Sequence, residues 1–318
     1  MSRIFVTRAI PEAGLRLLEK KHDVHVYDED RQISKHKLIE SIRPADGLLC
    51  LLTDPVDAEV IAAGEKLRCI STYAVGYNNI DIDAAKKRNI IVTNTPGVLT
   101  DATADIAFAL LIACARRIVE SDAWLRQGRF DGWGPKLFLG QDLVGRTLGI
   151  IGAGRIGSAL AKKAHDGFDM RILYHNRTRN TDFEGRFNAV YASLDTVLRN
   201  SDFVSLHVPL TPETHHLIDA RALALMKPTA VFVNTARGPV VDEQALITAL
   251  REKRIFAAGF DVYEHEPDIP TELMALPNTV LLPHIGSASI ATRDRMAEMA
   301  AVQLLDALEG RTPANRVA

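Results

Sequence analysis

Thr147-Leu148-Gly149-Ile150-Ile151-Gly152-Ala153-Gly154-Arg155-Ile156-Gly157 decides the fold of this 318-residue chain. An apolar run ends in a GxGxxG turn, and the amphipathic segment SALAKKA follows directly. The glycine pattern alone says little. Between a strand and a helix it reads as the phosphate-binding loop of a dinucleotide fold. Gly152 would permit the tight turn, Gly154 would let a pyrophosphate approach the backbone, and Gly157 would let the helix pack on the strand. The free N–H groups at the helix start, where Arg155 and Ile156 lie, would then face the phosphates.

Outward from this loop, short apolar runs alternate with amphipathic ones. On the C-terminal side RILY, FVSLHV, AVFVN, FAAGFD and VLLP read as strands, and on the N-terminal side IFV, VHVY, GLLCLL, CIST and NIIVTN do. Strands separated by helical segments argue for βαβ units and parallel sheets. Asn94-Thr95-Pro96-Gly97 interrupts the pattern, a long helix is expected from about residue 100 to 127, and residues 128–145 read as a loop rich in glycine and aromatics. A last helix, about 289–309, has no strand after it and must dock on something already built. The expected fold is therefore α/β, with two Rossmann-like domains. Residues 1–99 plus 287–318 form a discontinuous substrate-binding domain, and 100–286 form the dinucleotide-binding domain.

Composition removes several function classes. Lys and Arg number 38 against 40 Asp and Glu, a formal charge of −2, so no basic surface for nucleic acid is expected. The longest uncharged apolar run, Ile106 to Ala115, is too short for a bilayer. The N-terminus lacks the apolar stretch of a signal peptide. Cys50, Cys69 and Cys114 lie in apolar runs without CxxC or zinc-ligand spacing. They read as buried reduced thiols of a cytoplasmic protein, and no metal is expected.

The tip of the strand after the glycine loop reads Leu173-Tyr174-His175-Asn176-Arg177-Thr178-Arg179. An acid there would bind the ribose 2′-hydroxyl of NAD. None is present until Asp182 and Glu184, and a guanidinium suits a 2′-phosphate. NADPH preference is expected, with Asn176, Arg177 and Thr178 as the reading residues and NAD as the lesser cofactor.

Three further segments follow strand-like runs: NTARGPVVDE with Arg237, GFDVYEHEP with Asp261, Glu264 and Glu266, and PHIGSAS with His284. In open α/β sheets ligands bind beyond the carboxyl ends of strands. Reducing a 2-keto acid needs a cation for the carboxylate and keto oxygen, an acid for that oxygen, and a partner that orients the acid. Arg237, His284 and Glu266 suit these roles, since a histidine titrates near neutrality and a carboxylate on its other nitrogen fixes its tautomer. His207, His215 and His216 read as structural.

At these residues the sequence resembles the D-2-hydroxyacid dehydrogenase family. The likeness runs over essentially the whole chain, through NTPGVLTDATAD, GAGRIG, HVPLTPETHHLI, NTARGPVVDE, GFDVYEHEP and PHIGSAS. Glu266 and His284 lie 29 and 47 residues beyond Arg237, as in the family's Arg–Glu–His set. It is this resemblance that selects Glu266 over Glu264. TDATAD, RILYHNRTR and HIGSAS are most similar to the glyoxylate/hydroxypyruvate reductases, including those that reduce 2-ketogluconate. The resemblance implies reduction of such keto acids to D-2-hydroxy acids, commonly with NADPH, by a homodimer joined through its nucleotide-binding domains. It implies that backbone around Ala74, Val75 and Gly76 binds the substrate carboxylate, that Leu52 and Tyr73 shape the pocket, and that Trp133 can reach the neighbouring subunit's site. It also implies that Asp261 contacts the nicotinamide amide and that Thr235, Ala236 and Gly286 line the cofactor. One departure is Asp169, where many relatives carry glycine. A phosphoglycerate-type dehydrogenase would carry an acid at the strand tip and usually a regulatory domain. A dinucleotide-sensing co-repressor would carry long disordered tails. Neither pattern is present.

Overall fold

The apolar runs become two parallel sheets in a computed structural model that describes residues 1–318. The chain divides into two units, Met1–Leu99 with Ser287–Ala318, and Thr100–Gly286. In the first unit, strands β1 (Arg3–Val6), β2 (Asp23–Val26), β3 (Gly47–Cys50), β4 (Cys69–Thr72) and β5 (Ile91–Thr93) lie in the order β2-β1-β3-β4-β5. All pairings are parallel. β3 and β4 are wholly buried, which is why they read as continuous apolar runs, whereas edge strand β2 carries Asp23 and His25 at the surface.

The C-terminal helix Ile290–Leu308 belongs to this unit. It packs on helix Glu12–Glu19 and on β3, β4 and β5, burying Met296, Ala297, Ala300, Ala301 and Leu304. Each large apolar side chain so buried contributes about 1.5–3 kcal/mol. Ser289 caps the helix by accepting the Thr292 N–H at 3.3 Å. Helix Glu12–Glu19 approaches so closely that a Cβ on Gly14 would lie 2.6 Å from the Ala297 carbonyl oxygen. The helix with no following strand thus docks on the first sheet.

The second unit holds β6 (Thr147–Ile151), β7 (Arg171–His175), β8 (Val190–Tyr191), β9 (Phe203–Leu206), β10 (Val231–Asn234), β11 (Ala257–Phe260) and β12 (Thr279–Leu281). Their order is β12-β11-β10-β9-β6-β7-β8, again all parallel. β6 lies between β7 and β9, so the winding reverses there, and the crevice beyond such a reversal is where ligands bind.

Two local features differ from the sequence reading. The single helix expected to about residue 127 is two, Thr100–Ala115 and Ile118–Arg126. Arg117 breaks it with a left-handed backbone, φ +53°. The carbonyl of Ala115 accepts the Gln141 N–H at 2.9 Å, and Gly140 packs against that carbonyl too closely to carry a Cβ. The Arg117 guanidinium pairs with both oxygens of Glu120 and lies over the Phe138 ring. The segment after the helix therefore holds the break open. The two-residue strand β8 is not expected from the sequence, being exposed and too short to show alternation. The three cysteines are free and buried, and burial pushes all three thiols up. No helix is long and apolar enough to cross a membrane.

Candidate active site

The glycine loop connects β6 to helix Arg155–Phe168. Gly152 has φ +101°, and a Cβ there would lie 2.7 Å from the His207 carbonyl carbon. A Cβ on Gly157 would lie 2.3 Å from the Gly152 oxygen. Both positions exclude any larger residue. At Gly154 a Cβ would meet nothing within 4 Å, so the backbone stands open where a pyrophosphate would approach. Gly154 is also the N-cap and offers no side chain to the first helical N–H groups, which leaves them for an anion. The loop is pinned from both sides, with the Gly152 N–H on the His175 carbonyl at 2.9 Å and the Ala153 N–H on Asn176 Oδ1 at 2.7 Å. Two buried polar atoms beyond the neighbouring strands, His207 Nδ1 and Thr235 Oγ1, have no partner in the protein. An open cradle, uncapped N–H groups and orphaned polar atoms at the carboxyl ends of β6, β9 and β10 fit a bound dinucleotide.

The side chain of Asn176 is committed to this loop. Arg179 forms a fork with Glu184 at 2.8 and 2.7 Å, and with the Tyr174 hydroxyl it holds that carboxyl down at about 2. Arg177 and Thr178 are exposed, and Arg177 makes no ion pair. Of the two arginines at the strand tip, Arg179 is held in an ion pair with Glu184, whereas Arg177 touches no carboxylate and feels Glu213 only through space.

The candidate reacting groups sit beyond β10, β11 and β12. Asn234 ends β10, accepts the Ala236 N–H at 3.0 Å and donates to the Arg237 carbonyl at 3.0 Å. The backbone at Gly238 lies against the Tyr263 carbonyl, with no room for a Cβ. This clamp fixes Arg237, whose guanidinium donates to the Ala236 carbonyl at 2.7 Å. Burial lowers the Arg237 pKa, and Glu266 opposes the change.

Beyond β11, Glu266 Oε1 accepts the Tyr263 N–H at 3.0 Å and Oε2 lies 2.8 Å from His284 Nδ1. Burial pushes the Glu266 carboxyl up, but the His284 ring, the Tyr263 N–H and Arg237 together hold it below its ordinary value. Glu266 is the partner of His284, and Glu264 instead meets His216. Asp261 accepts the N–H groups of Ile285 and Gly286 at 2.7 Å each, so it shapes the turn that presents His284. Burial raises the Asp261 carboxyl, against the pull of these N–H groups. Its two oxygens are thus engaged with backbone, leaving their remaining lone pairs for a ligand. Sequence reasoning does not single out Asn234 or Tyr263; a polar residue closing an otherwise apolar strand is the available sign of the first.

In the first unit, Leu52 follows β3, while Tyr73, Val75 and Gly76 follow β4, all at carboxyl ends. The Val75 carbonyl accepts from Asn94 Nδ2 at 2.7 Å. Tyr73 is buried, and its hydroxyl donates to the Arg293 carbonyl at 2.8 Å. Trp133, in the second unit, is 85% exposed.

Comparison with known proteins agrees with this architecture. Residues 108–286 match the family described as D-isomer specific 2-hydroxyacid dehydrogenase, NAD binding domain. The chain is 51% identical to a glyoxylate reductase of Thermococcus litoralis, over 99% of this chain and 96% of the relative. A Thermus thermophilus protein of known structure superposes with a TM-score of 0.94 at 47% identity, covering 99% of this chain and all of the other. An NADPH-dependent glyoxylate/hydroxypyruvate reductase of Sinorhizobium meliloti, solved with NADP and malonate, superposes with a TM-score of 0.87 at 34% identity, over 100% and 97% of the two chains.

Proposed function

The chain belongs to the D-isomer specific 2-hydroxyacid dehydrogenase family and is an NAD(P)-dependent oxidoreductase, and from that membership we propose that it reduces small 2-keto acids with NADPH. Glyoxylate and hydroxypyruvate are the proposed substrates, with 2-ketogluconate as the longest of the series, and the products are D-2-hydroxy acids. The observation that carries the proposal is the set of Arg237, Glu266 and His284 beyond three neighbouring strands of the dinucleotide sheet.

The chemistry that a reduced nicotinamide supplies when bound is a hydride for the keto carbon. Arg237 binds the substrate carboxylate and draws electron density from the keto oxygen. His284 has Nδ1 engaged by Glu266, so Nε2 is the nitrogen that carries the proton delivered to that oxygen. Glu266 stays ionised, fixes the ring's tautomer and stabilises it while protonated. Asp261 holds the turn bearing His284, and Asn234 holds the backbone of Arg237. In the first unit, Leu52, Tyr73, Val75 and Gly76, at the carboxyl ends of β3 and β4, are the proposed substrate-binding residues.

NADPH preference is supported by the exposed guanidinium of Arg177, which is not held in an ion pair, and by the tie between Glu184 and Arg179, which leaves that carboxylate committed. Gly152, Gly154, Arg155, Ile156 and Gly157 hold the pyrophosphate. Asn176, Arg177 and Thr178 form the 2′-phosphate end, and Thr235, Ala236, Asp261 and Gly286 line the nicotinamide end. The proposed assembly is a cytoplasmic homodimer in which Trp133 enters the partner's substrate site. Support comes from exposed Ile118, Val119, Leu125, Phe130, Leu139 and Val144, which lie in helix Ile118–Arg126 and in the segment after it that carries Trp133. A keto-acid panel assayed with NADPH and NADH, in wild type and Arg177→Ala, tests this reading. The ratio of KM values should favour NADPH in wild type and shift toward NADH by at least about tenfold in the variant, as expected for loss of a charge-assisted pair. An unchanged ratio contradicts the cofactor assignment, and no turnover of any keto acid contradicts the substrate class.

A further inference from the structure

His215 and His216 follow one another in the turn before the Ile218 bridge, and Glu264 lies 48 residues beyond His216 in the loop after β11. Consecutive side chains of an extended chain point to opposite faces. Here His216 takes a left-handed backbone, φ +49°, and the two imidazoles stack with centroids 4.1 Å apart. One ring nitrogen from each histidine and a carboxylate oxygen of Glu264 all lie within 4.8 Å of one another. His216 Nε2 is already 2.7 Å from Glu264 Oε1.

We propose that His215, His216 and Glu264 form a binding site for a borderline divalent transition-metal cation, Zn²⁺ or Co²⁺ in kind, separate from the reacting groups. The donor set, two imidazoles and one carboxylate, suits such ions and not Mg²⁺ or Ca²⁺, which take oxygen ligands. Each donor stands on a fixed backbone. The His215 N–H donates to the Thr211 carbonyl at 3.0 Å and the His216 N–H to the Pro239 carbonyl at 2.8 Å. Glu264 Oε2 accepts the Glu243 N–H at 3.3 Å, while the Glu264 N–H donates to Glu243 Oε1 at 3.3 Å. The Glu243 N–H therefore supplies the outer support that orients a ligating carboxylate. Exposure suits an ion that enters from solvent, because His215 is exposed while His216 and Glu264 are half-buried. Three protein donors leave a tetrahedral ion one position for water. Metal–ligand bonds of about 2.0–2.2 Å require the donors to close on a common centre, which rotation of the exposed His215 ring permits.

The site lies on the same loop as Glu266, two residues away. A bound ion would tie that loop to the turn carrying the histidines. The competing explanation is a plain hydrogen bond between His216 and Glu264, in which His215 has no part. His215 is therefore the discriminating position, and it belongs to neither the proposed catalytic set nor the cofactor set. The test is calorimetric titration of the dinucleotide-bound enzyme with Zn²⁺ in a non-chelating buffer, comparing wild type with His215→Ala. Keto-acid turnover of the metal-free variant serves as the control for folding. One ion per chain in wild type, weakened at least about tenfold in the variant, is the expected result, since loss of even an outer-shell partner costs that much. Equal affinity in the two proteins, or no stoichiometric uptake by wild type, overturns the proposal.

Discussion

At His284 the backbone sits at φ +55°, where a residue with a Cβ is strained. The chain holds it there through Asp261, whose two oxygens take the next two N–H groups. The neighbouring peptide bonds hold that ring where its Nδ1 meets Glu266. The residue types of this arrangement can be read in the sequence, because an Arg, an acid and a His each follow a strand. The choice of Glu266 over Glu264 cannot be read from composition, since both are glutamates of one short segment; that choice rests on the family resemblance. Nor can the meeting of His216 with Glu264, across 48 residues, which only the folded chain creates. His207 gives a prediction at this scale. Burial holds its pKa down at about 3, with Nε2 on the Ser205 hydroxyl and Nδ1 unpartnered. In the unfolded chain the ring regains its ordinary value near 6.5 and takes up a proton that the folded state refuses. Stability contributed by keeping this ring neutral is complete above about pH 6.5 and declines as pH falls toward 3, by up to about 1.4 kcal/mol per pH unit. Urea unfolding of the ligand-free protein between pH 7 and 4.5 should therefore show a shallower acid decline in His207→Gln than in wild type. Parallel declines would show that the ring does not carry the effect.

Among the elements, the strand–turn–helix at Gly152–Gly157 is legible because steric demands select glycine, and the structure displays those demands as contacts a Cβ could not survive. Buried parallel strands are legible for a similar reason, being apolar on both faces. The break at Arg117 is not, because its cause is a tertiary contact from Gln141 and Gly140 and not a helix-breaking residue. Asp169 is the converse case. In the sequence it stands out only as a departure from glycine. In the fold it closes helix Arg155–Phe168 in the left-handed region, φ +50°, with its N–H on the Ala164 and His165 carbonyls. A left-handed backbone disfavours a Cβ, and a negative charge is unfavourable at a helix C-terminus. Asp169→Gly should stabilise the protein by about 1 kcal/mol, seen as a melting temperature raised by a few degrees. A lowered melting temperature would mean that the aspartate supports the cap in some way its geometry does not reveal.

For the whole molecule, helix Ile118–Arg126 has no buried residue, and the segment after it exposes Phe130, Trp133, Leu139 and Val144. So much apolar surface on a helix and its following loop argues for a partner surface, and the proposed partner is a second copy of the chain. Sedimentation should give a dimer for wild type and a monomer for a Leu139→Asp, Val144→Asp double variant; a monomeric wild type would contradict the assembly. If Trp133 enters the partner's site, Trp133→Ala should raise keto-acid KM while leaving the dimer and the dinucleotide Kd unchanged. The chemistry proposed at His284 is tested by kcat for glyoxylate with NADPH in His284→Ala, with dinucleotide affinity measured in parallel. Loss of the proton donor should lower kcat by about 10²–10⁴-fold at unchanged NADPH affinity. Turnover near that of wild type would contradict the assignment of His284 as the acid.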